Sequence, residues 1–271
     1  MTPSARLKAA NLTLAYGRDT IVHDLDIEIP DRGFTVIVGA NGSGKSTLLK
    51  AFGRLLSPSK GTVVLDGRAL SAYPSIEVAR HIGILPQSAT APDRITVIDL
   101  VARGRYPHQT FMRQWSDADE RAVDAALAAT GIAEIATRAV DTLSGGQRQR
   151  VWIAMALAQE TPILLLDEPT TYLDMAHQVE LLDLLADLNE AAGRTIVAVL
   201  HDLNQACRYA SHIVALKSGR VIAEGPPAQI VTEELMEVVF GLPCVVVDDP
   251  VTHTPHVVPR GRRKASGRGG A

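Results

Sequence analysis

The stretch GANGSGKST, residues 39–47, follows the continuous apolar run FTVIV and leads into KSTLLKAFGRLL. That order narrows the possible folds more than any other part of the chain. An apolar run without alternation is the pattern of a strand buried on both faces. The residues after it carry helical spacing. A glycine-rich turn between such a strand and helix, with Lys-Ser at its end, is a phosphate cradle. Gly39, Gly42 and Gly44 let backbone N–H groups curl around phosphate oxygens, with Ala40, Asn41, Ser43 and Thr47 completing the loop. Lys45 is placed to reach the β- and γ-phosphates and Ser46 to ligate Mg²⁺. The expectation is a nucleoside triphosphate site.

A second anion site is suggested at LSGGQRQR, residues 143–150, which runs into the apolar stretch VWIAMALA. Backbone N–H groups at such a helix start face outward, on the positive end of the helix dipole. Two cradles in one chain need an explanation. Two further apolar runs end in chemistry: ILLLDEP in Asp167 and Glu168, and TIVAVLHD in His201. Asp167 suits a Mg²⁺ shell, and Glu168 is then free to polarise an attacking water. His201 and Gln87, in ILPQ, also sit at strand ends, where ligands bind in parallel sheets.

The rest of the chain fits an α/β fold. LTLAY (12–16), LDIEI (25–29) and GTVVLDG (61–67) read as strands of a β-rich flank. From Thr96 to Val140 the pattern is helical, with Thr96/Asp99 and Ser116/Asp119 resembling capping boxes and Gly131 closing a helix. Strands and helices then alternate, which argues for a parallel core. Leu181, Leu182, Leu184, Leu185 and Leu188 share a helical face and read as core.

Composition excludes some classes. The longest apolar run is far shorter than the ~18 residues of a membrane span. Cys207 and Cys244 form neither a CxxC pair nor a disulfide framework, which fits a reducing compartment. The net charge is −3, but Arg260, Arg262, Arg263, Lys264 and Arg268 crowd into a glycine-rich end. The remainder has 22 basic residues against 30 acidic ones, a net charge of −8, which disfavours nucleic acid as a partner. The pair His253 and His256 is too sparse for a metal site and reads as the surface of a C-terminal hairpin.

Taken in order, GANGSGKST, Gln87, LSGGQRQR, ILLLDEP, the Asp of TYLD and His201 resemble the motifs of ATP-binding cassette (ABC) ATPases along nearly the whole chain. The resemblance implies a P-loop ABC ATPase core with an antiparallel β flank and a helical subdomain. It implies an ABC domain over 1–242, with the helical part at about 88–142, and a β extension at 243–259, while the basic, glycine-rich composition of 260–271 reads as a disordered, solvated tail. Tyr16 would stack on adenine, and Gln87 would sense Mg²⁺, beside Ser46 and Asp167, and face a membrane partner. Asp174 would be the D-loop aspartate and His201 the switch histidine. The family also accounts for two cradles. Ser144, Gly145, Gly146 and Gln147, with Asp174, would complete the ATP site of a second copy, so the chain would hydrolyse ATP as a homodimer. One departure is Tyr172, where many cassettes carry a small residue.

The segment ITVIDLVARGRYPHQTFMRQWSDAD (95–119), the stretches LPQSATAP and HDLNQACRYASHIVALKSG, and the ending VFGLPCVVVDDPVTHTP resemble ATPase subunits of bacterial ferric-siderophore importers. The resemblance implies ATP-driven import through a separate polytopic permease, touched through the Gln87 loop and the helical subdomain. A substrate-binding protein would be an indirect partner, and the chain would lie peripherally on the cytoplasmic face of the inner membrane. Arg103, Arg105, Tyr106 and His108 are expected on the permease-facing surface. Haem or cobalamin import by the same engine is the alternative cargo. Soluble ABC ATPases that act on DNA or ribosomes usually carry long coiled coils or two fused cassettes; the sequence shows neither, and its acidic body also disfavours that class. A regulatory protein without turnover is disfavoured by intact Lys45, Asp167, Glu168 and His201.

Overall fold

The computed structural model describes residues 5–87, 90–109 and 115–261. The chain begins with β1 (Leu7–Tyr16), β2 (Asp19–Ile29) and β3 (Phe34–Gly39), then α1 (Lys45–Phe52). Next come β4 (Lys60–Leu65), β5 (Arg68–Ala69), α2 (Ser75–His81) and β6 (Ile82–Leu85). The helical stretch holds α3 (Val97–Ala102), a 3₁₀ turn over Arg103–His108, α4 (Asp117–Ala129) and α5 (Gly145–Ala158). Then follow β7 (Ile163–Asp167), α6 (Met175–Ala192), β8 (Thr195–Val199), α7 (Leu203–Tyr209), β9 (His212–Lys217) and β10 (Arg220–Gly225). The chain closes with α8 (Pro227–Ile230), α9 (Glu233–Phe240), β11 (Cys244–Asp248) and β12 (Pro255–Pro259).

Six strands form the central sheet in the order β10-β9-β3-β8-β7-β6, parallel except at β10. Its inner strands are fully buried, and the alternation of side chains divides them between two cores. Val36, Val38, Leu164, Leu166 and Ala198 face one core, and Ile37, Leu165, Val197 and Val199 the other. That is why the sequence shows unbroken apolar runs. The second core is capped by an antiparallel sheet, β2-β1-β4-β5, so the β flank read from the sequence is present. The first core is closed by α3 to α7 and reaches the β11–β12 hairpin through Cys244 and Val257.

The helical stretch is pinned at its neck: Thr96 bridges Ala139, the Val97 N–H donates to Arg138 O, and the Val140 N–H donates to Ile95 O. Part of the region expected to be helical, residues 88–89 and 110–114, lies outside the described residues. Thr96 caps α3 by accepting from the Asp99 N–H, and Gly131 follows α4 at φ +65°. Ser116 does not cap α4. Its hydroxyl donates to Asp119 Oδ2 at 2.7 Å, and the other carboxylate oxygen accepts from Arg105 Nε at 2.8 Å. Asp119 is drawn into a buried ion pair instead of a box.

Two other sequence expectations are corrected. Arg105 is not a surface residue: it is 4% exposed, bonded to Asp119, Glu160 and the Ala158 carbonyl. Among its neighbours, Arg103 and Tyr106 are exposed and half-buried His108 contacts Gln159 O, so Arg105 serves to tie the helical stretch to the entry of β7. Arg260 is not part of a loose tail. Its N–H donates to Pro243 O and its Nε to Cys244 O, at 2.8 and 2.9 Å, which fastens the end of the hairpin. Residues 262–271 lie outside the described residues. His253 and His256 do fall on the hairpin, and the described residues contain no cluster of three or more metal-ligating side chains.

Candidate functional site

The strand–loop–helix order of β3, the glycine loop and α1 places residues 39–47 at the C-terminal edge of the central sheet. Gly39 and Gly44 take φ of +151° and +100°, which side chains rarely adopt. At Gly39 a Cβ would come within 2.2 Å of Leu216 O, so the tight return of the loop against β9 requires glycine. The loop opens onto a cleft of about 560 Å³. Tyr16, Asn41 to Thr47, Gln87, Glu168 and His201 line it, along with Ile21, which carried no signal in the sequence.

Several polar groups here are poised for an anion. The buried Ser43 hydroxyl has no partner among the described residues. The Lys45 ammonium donates to Gly39 O and Ala40 O at 2.8 and 3.0 Å, folded back on its own loop. Burial pushes its pKa down, and the Glu168 and Asp167 charges oppose that shift. No acidic residue occupies the first turn of α1. An unpartnered buried hydroxyl, a buried cation and an open helix N-terminus fit a polyphosphate.

Ser46 Oγ donates to Asp167 Oδ1 at 2.8 Å, so two hard oxygen ligands already meet at the floor of the cleft. Asp167 is 2% exposed, and burial raises its carboxyl pKa, with the Ser46 hydrogen bond acting the other way. Such a carboxylate is stabilised by a cation. The donor set fits Mg²⁺. Next to it, Glu168 is held at φ +54°, a strained conformation for a side chain and one often found at functional sites. Its carboxylate lies 2.6 Å from His201 Nε2.

The remaining motif residues are elsewhere. Ser144 N-caps α5 in a true capping box: it accepts from the Gln147 N–H, and Gln147 Oε1 accepts from the Ser144 N–H. This leaves the Gly145 and Gly146 N–H groups at the open end of the helix. Asp174 N-caps α6, accepting from the His177 N–H at 3.0 Å, and that bond holds its carboxyl pKa down. Ser144 to Gln147, Asp174, Tyr172 and His177 line a separate groove of about 740 Å³ to which no residue of the glycine loop contributes. The geometry thus brings Tyr16, the glycine loop, Gln87, Glu168 and His201 together and leaves the LSGGQ residues and Asp174 apart.

A third groove joins Leu85, Pro86 and Gln87 to Arg148, Gln149 and Trp152 of α5. Tyr172 borders this groove and the LSGGQ groove alike, 77% exposed and at φ +68°. Arg148, Gln149, Trp152 and His177 were not expected at a site. Only Trp152 stands out from its surroundings, as the single aromatic of its helix.

A parallel α/β core sheet with a glycine loop at its edge and a carboxylate pair beside it defines a P-loop nucleotide-binding cassette. The ABC transporter family model matches residues 22–171. The chain is 58% identical to the ferric enterobactin transport ATP-binding protein FepC of Escherichia coli strain K12, over 98% of each chain. Among solved structures, it superposes on an ABC transporter described as of metal-chelate type, in an inward-facing conformation, with a TM-score of 0.80 and 30% identity, covering 96% of this chain and 98% of that one. A dimeric bacterial ABC transporter cassette matches with a TM-score of 0.73 and 31% identity, covering 81% and 98%. The chain belongs to the ABC transporter family, as an ATP-binding and ATP-hydrolysing cassette. No helix among the described residues is long and apolar enough to cross a membrane.

Proposed function

We propose that the chain energises import of a ferric siderophore through a separate membrane permease, acting as a Mg²⁺-dependent homodimeric ATPase. The cargo rests on the 58% identity to a ferric enterobactin transport ATP-binding protein across 98% of the chain. The dimer rests on geometry. One chain holds a cleft with Lys45, Glu168 and His201, and an LSGGQ helix start in a different groove. A second copy facing it in reverse brings each helix start to the other's cleft.

In this reading the loop N–H groups and Lys45 hold the β- and γ-phosphates, and Tyr16 packs on the base. Ser46, Asp167 and Gln87 would hold Mg²⁺, which neutralises phosphate charge when bound. Glu168 orients the attacking water and accepts its proton. His201, 2.6 Å from Glu168, fixes that carboxylate and lines the same cleft, from which it would reach the γ-phosphate. Ser144, Gly145 and Gly146 of the partner copy add N–H and hydroxyl donors only on closure, so stabilisation of the developing charge depends on the dimer. Closure and hydrolysis would drive the permease through the groove formed by Gln87 and α5. The body would lie peripherally on the cytoplasmic face of the inner membrane, with a substrate-binding protein as an indirect partner.

The deciding experiment is uptake of labelled ferric siderophores, haem and cobalamin in cells lacking this chain, complemented with wild type or Glu168→Gln. Loss of siderophore-iron uptake alone, restored only by wild type, is the expected result. Loss of haem or cobalamin uptake instead would keep the engine and replace the cargo. Unchanged uptake of all three would overturn the cargo assignment.

A further inference from the structure

Three loops carry the groups assigned above: the segment after β7 with Glu168 and Asp174, the segment after β8 with His201, and the start of α5. They touch through the side-chain amides of Gln149, Gln178 and Gln205, none of which was expected at the site. Gln178, in the first turns of α6, donates from Nε2 to Leu173 O at 3.0 Å and to Thr170 O at 3.4 Å. Its Oε1 accepts from Gln205 Nε2 at 2.9 Å. Since Leu173 O and Thr170 O only accept, Gln178 must present its NH₂ to them and its oxygen to Gln205, so a single orientation of both amides satisfies the network.

Gln205 is tied in turn to the residue after His201. Asp202 N-caps α7, its Oδ1 accepting from the Asn204 and Gln205 N–H groups at 2.8 and 3.0 Å. At the other end, the 168–174 loop is closed on itself, with the Thr171 N–H donating to Glu168 O at 3.2 Å. Gln149 of α5 donates to Pro169 O at 3.0 Å, which adds the LSGGQ helix to the same loop. Both Gln178 and Gln205 are half-buried, where a hydrogen bond is less diluted by water than on the surface.

We infer that Gln178 and Gln205 are positioning residues: their amide pair fixes the separation between the His201 loop and the loop carrying Glu168 and Asp174. The inference rests on the roles proposed above for those three residues. Neither glutamine lines the nucleotide cleft, so neither takes part in holding ATP. What they set is the register of two loops that must act together when the partner copy closes. A shift of His201 relative to Glu168 would slow water attack while leaving the phosphate cradle intact.

The test uses the full-length chain with Gln178→Met, Gln205→Met, the double substitution and, in parallel, Glu168→Gln. Methionine keeps volume and removes the hydrogen bonds. If Gln178→Met fails to fold, Gln178→Glu replaces it, keeping the acceptor for Gln205 and losing the donor to Leu173. The readouts are kcat, KM and the affinity for a fluorescent ATP analogue. Each single substitution is expected to lower kcat roughly five- to twentyfold and to change nucleotide affinity less than about twofold. The double substitution should be no slower than the slower single one, because one link broken twice costs the same as once. Multiplying losses, an unchanged kcat, or affinity falling in step with kcat would each overturn the inference. An inactive Glu168→Gln beside fully active Gln178 and Gln205 variants would sink the positioning role alone. A fully active Glu168→Gln would sink the catalytic reading, and the positioning role with it.

Discussion

His201 Nε2 lies 2.6 Å from Glu168 Oε1, so the side chains at the ends of two neighbouring strands meet over the cleft. Glu168 is nearly buried, and its backbone sits at φ +54°, so its carboxylate has little freedom to turn elsewhere. The pairing explains why a strained glutamate is tolerated there: the geometry that costs about 1–3 kcal/mol also aims the group.

From that pairing, Glu168→Gln should keep ATP binding within about threefold and lower turnover roughly 10²- to 10⁴-fold, the usual range for loss of a general base. ATP-bound dimers should accumulate, because closure is no longer followed by hydrolysis. Size-exclusion chromatography with and without ATP, together with steady-state hydrolysis, checks both parts. A variant turning over at the wild-type rate would remove Glu168 from the base role.

Ser144→Arg separates the two cradles. Ser144 lies in a groove to which no residue of the glycine loop contributes, so ATP affinity of the substituted chain should be unchanged. Hydrolysis should fall at least about 10²-fold, as for removal of donors facing developing charge. Loss of the cap should also cost about 1 kcal/mol of stability. Isothermal titration with ATP and a turnover assay decide it: normal hydrolysis would mean the LSGGQ start does not complete the partner's site.

Much of this site was legible because its chemistry sits where secondary structure must change. A strand such as ILLLD, buried on both faces, can end in charge only where the sheet edge opens, and Asp167 marks that point. Burial itself leaves no such mark. Arg105 stands in a basic, aromatic stretch that reads as surface, yet it is 4% exposed, because it pairs with Asp119 across a turn of the chain and with Glu160 much further along it, contacts that no local pattern reveals. Gln178 and Gln205 are equally silent, since an amide has neither charge nor period to set it apart. Arg260 was grouped with the basic end by its charge, although its hydrogen bonds to Pro243 and Cys244 place it in the hairpin.

The buried ion pair makes a stability prediction. Arg105 and Asp119 side chains are 5% and 6% exposed, whereas Glu160 is 52% exposed. Hydrogen bonds from Ser116 and Arg105 outweigh burial and hold the Asp119 pKa down, so the carboxylate is charged in the fold. Arg105→Ala leaves that charge unpaired and should destabilise by about 3–5 kcal/mol, while Glu160→Gln should cost about 1 kcal/mol or less. Urea unfolding of the two variants, with ATP affinity as a control, measures the difference. Equal losses would mean that Asp119 is not the partner that matters.

Cys207 supplies a pH dependence whose sign is fixed. Burial pushes its thiol pKa up to about 11 from 9.0, with the Asp202 charge adding to the shift. Below pH 9 both folded and unfolded chains hold the proton, and the group contributes nothing to the difference. Between about 9 and 11 the unfolded chain releases the proton first, so stability falls as pH rises through that window. The loss is about 2–3 kcal/mol at most. Cys207→Ala should flatten that part of the stability profile while paying a small cavity cost at all pH values. At pH 8 the native chain should react slowly with a thiol reagent at both Cys207 and Cys244, which are buried, and rapidly at both once unfolded in urea. Rapid modification of the native chain at Cys207 would mean that α7 opens on the timescale of the reaction, and that the helix following His201 is far less fixed than its capping hydrogen bonds require.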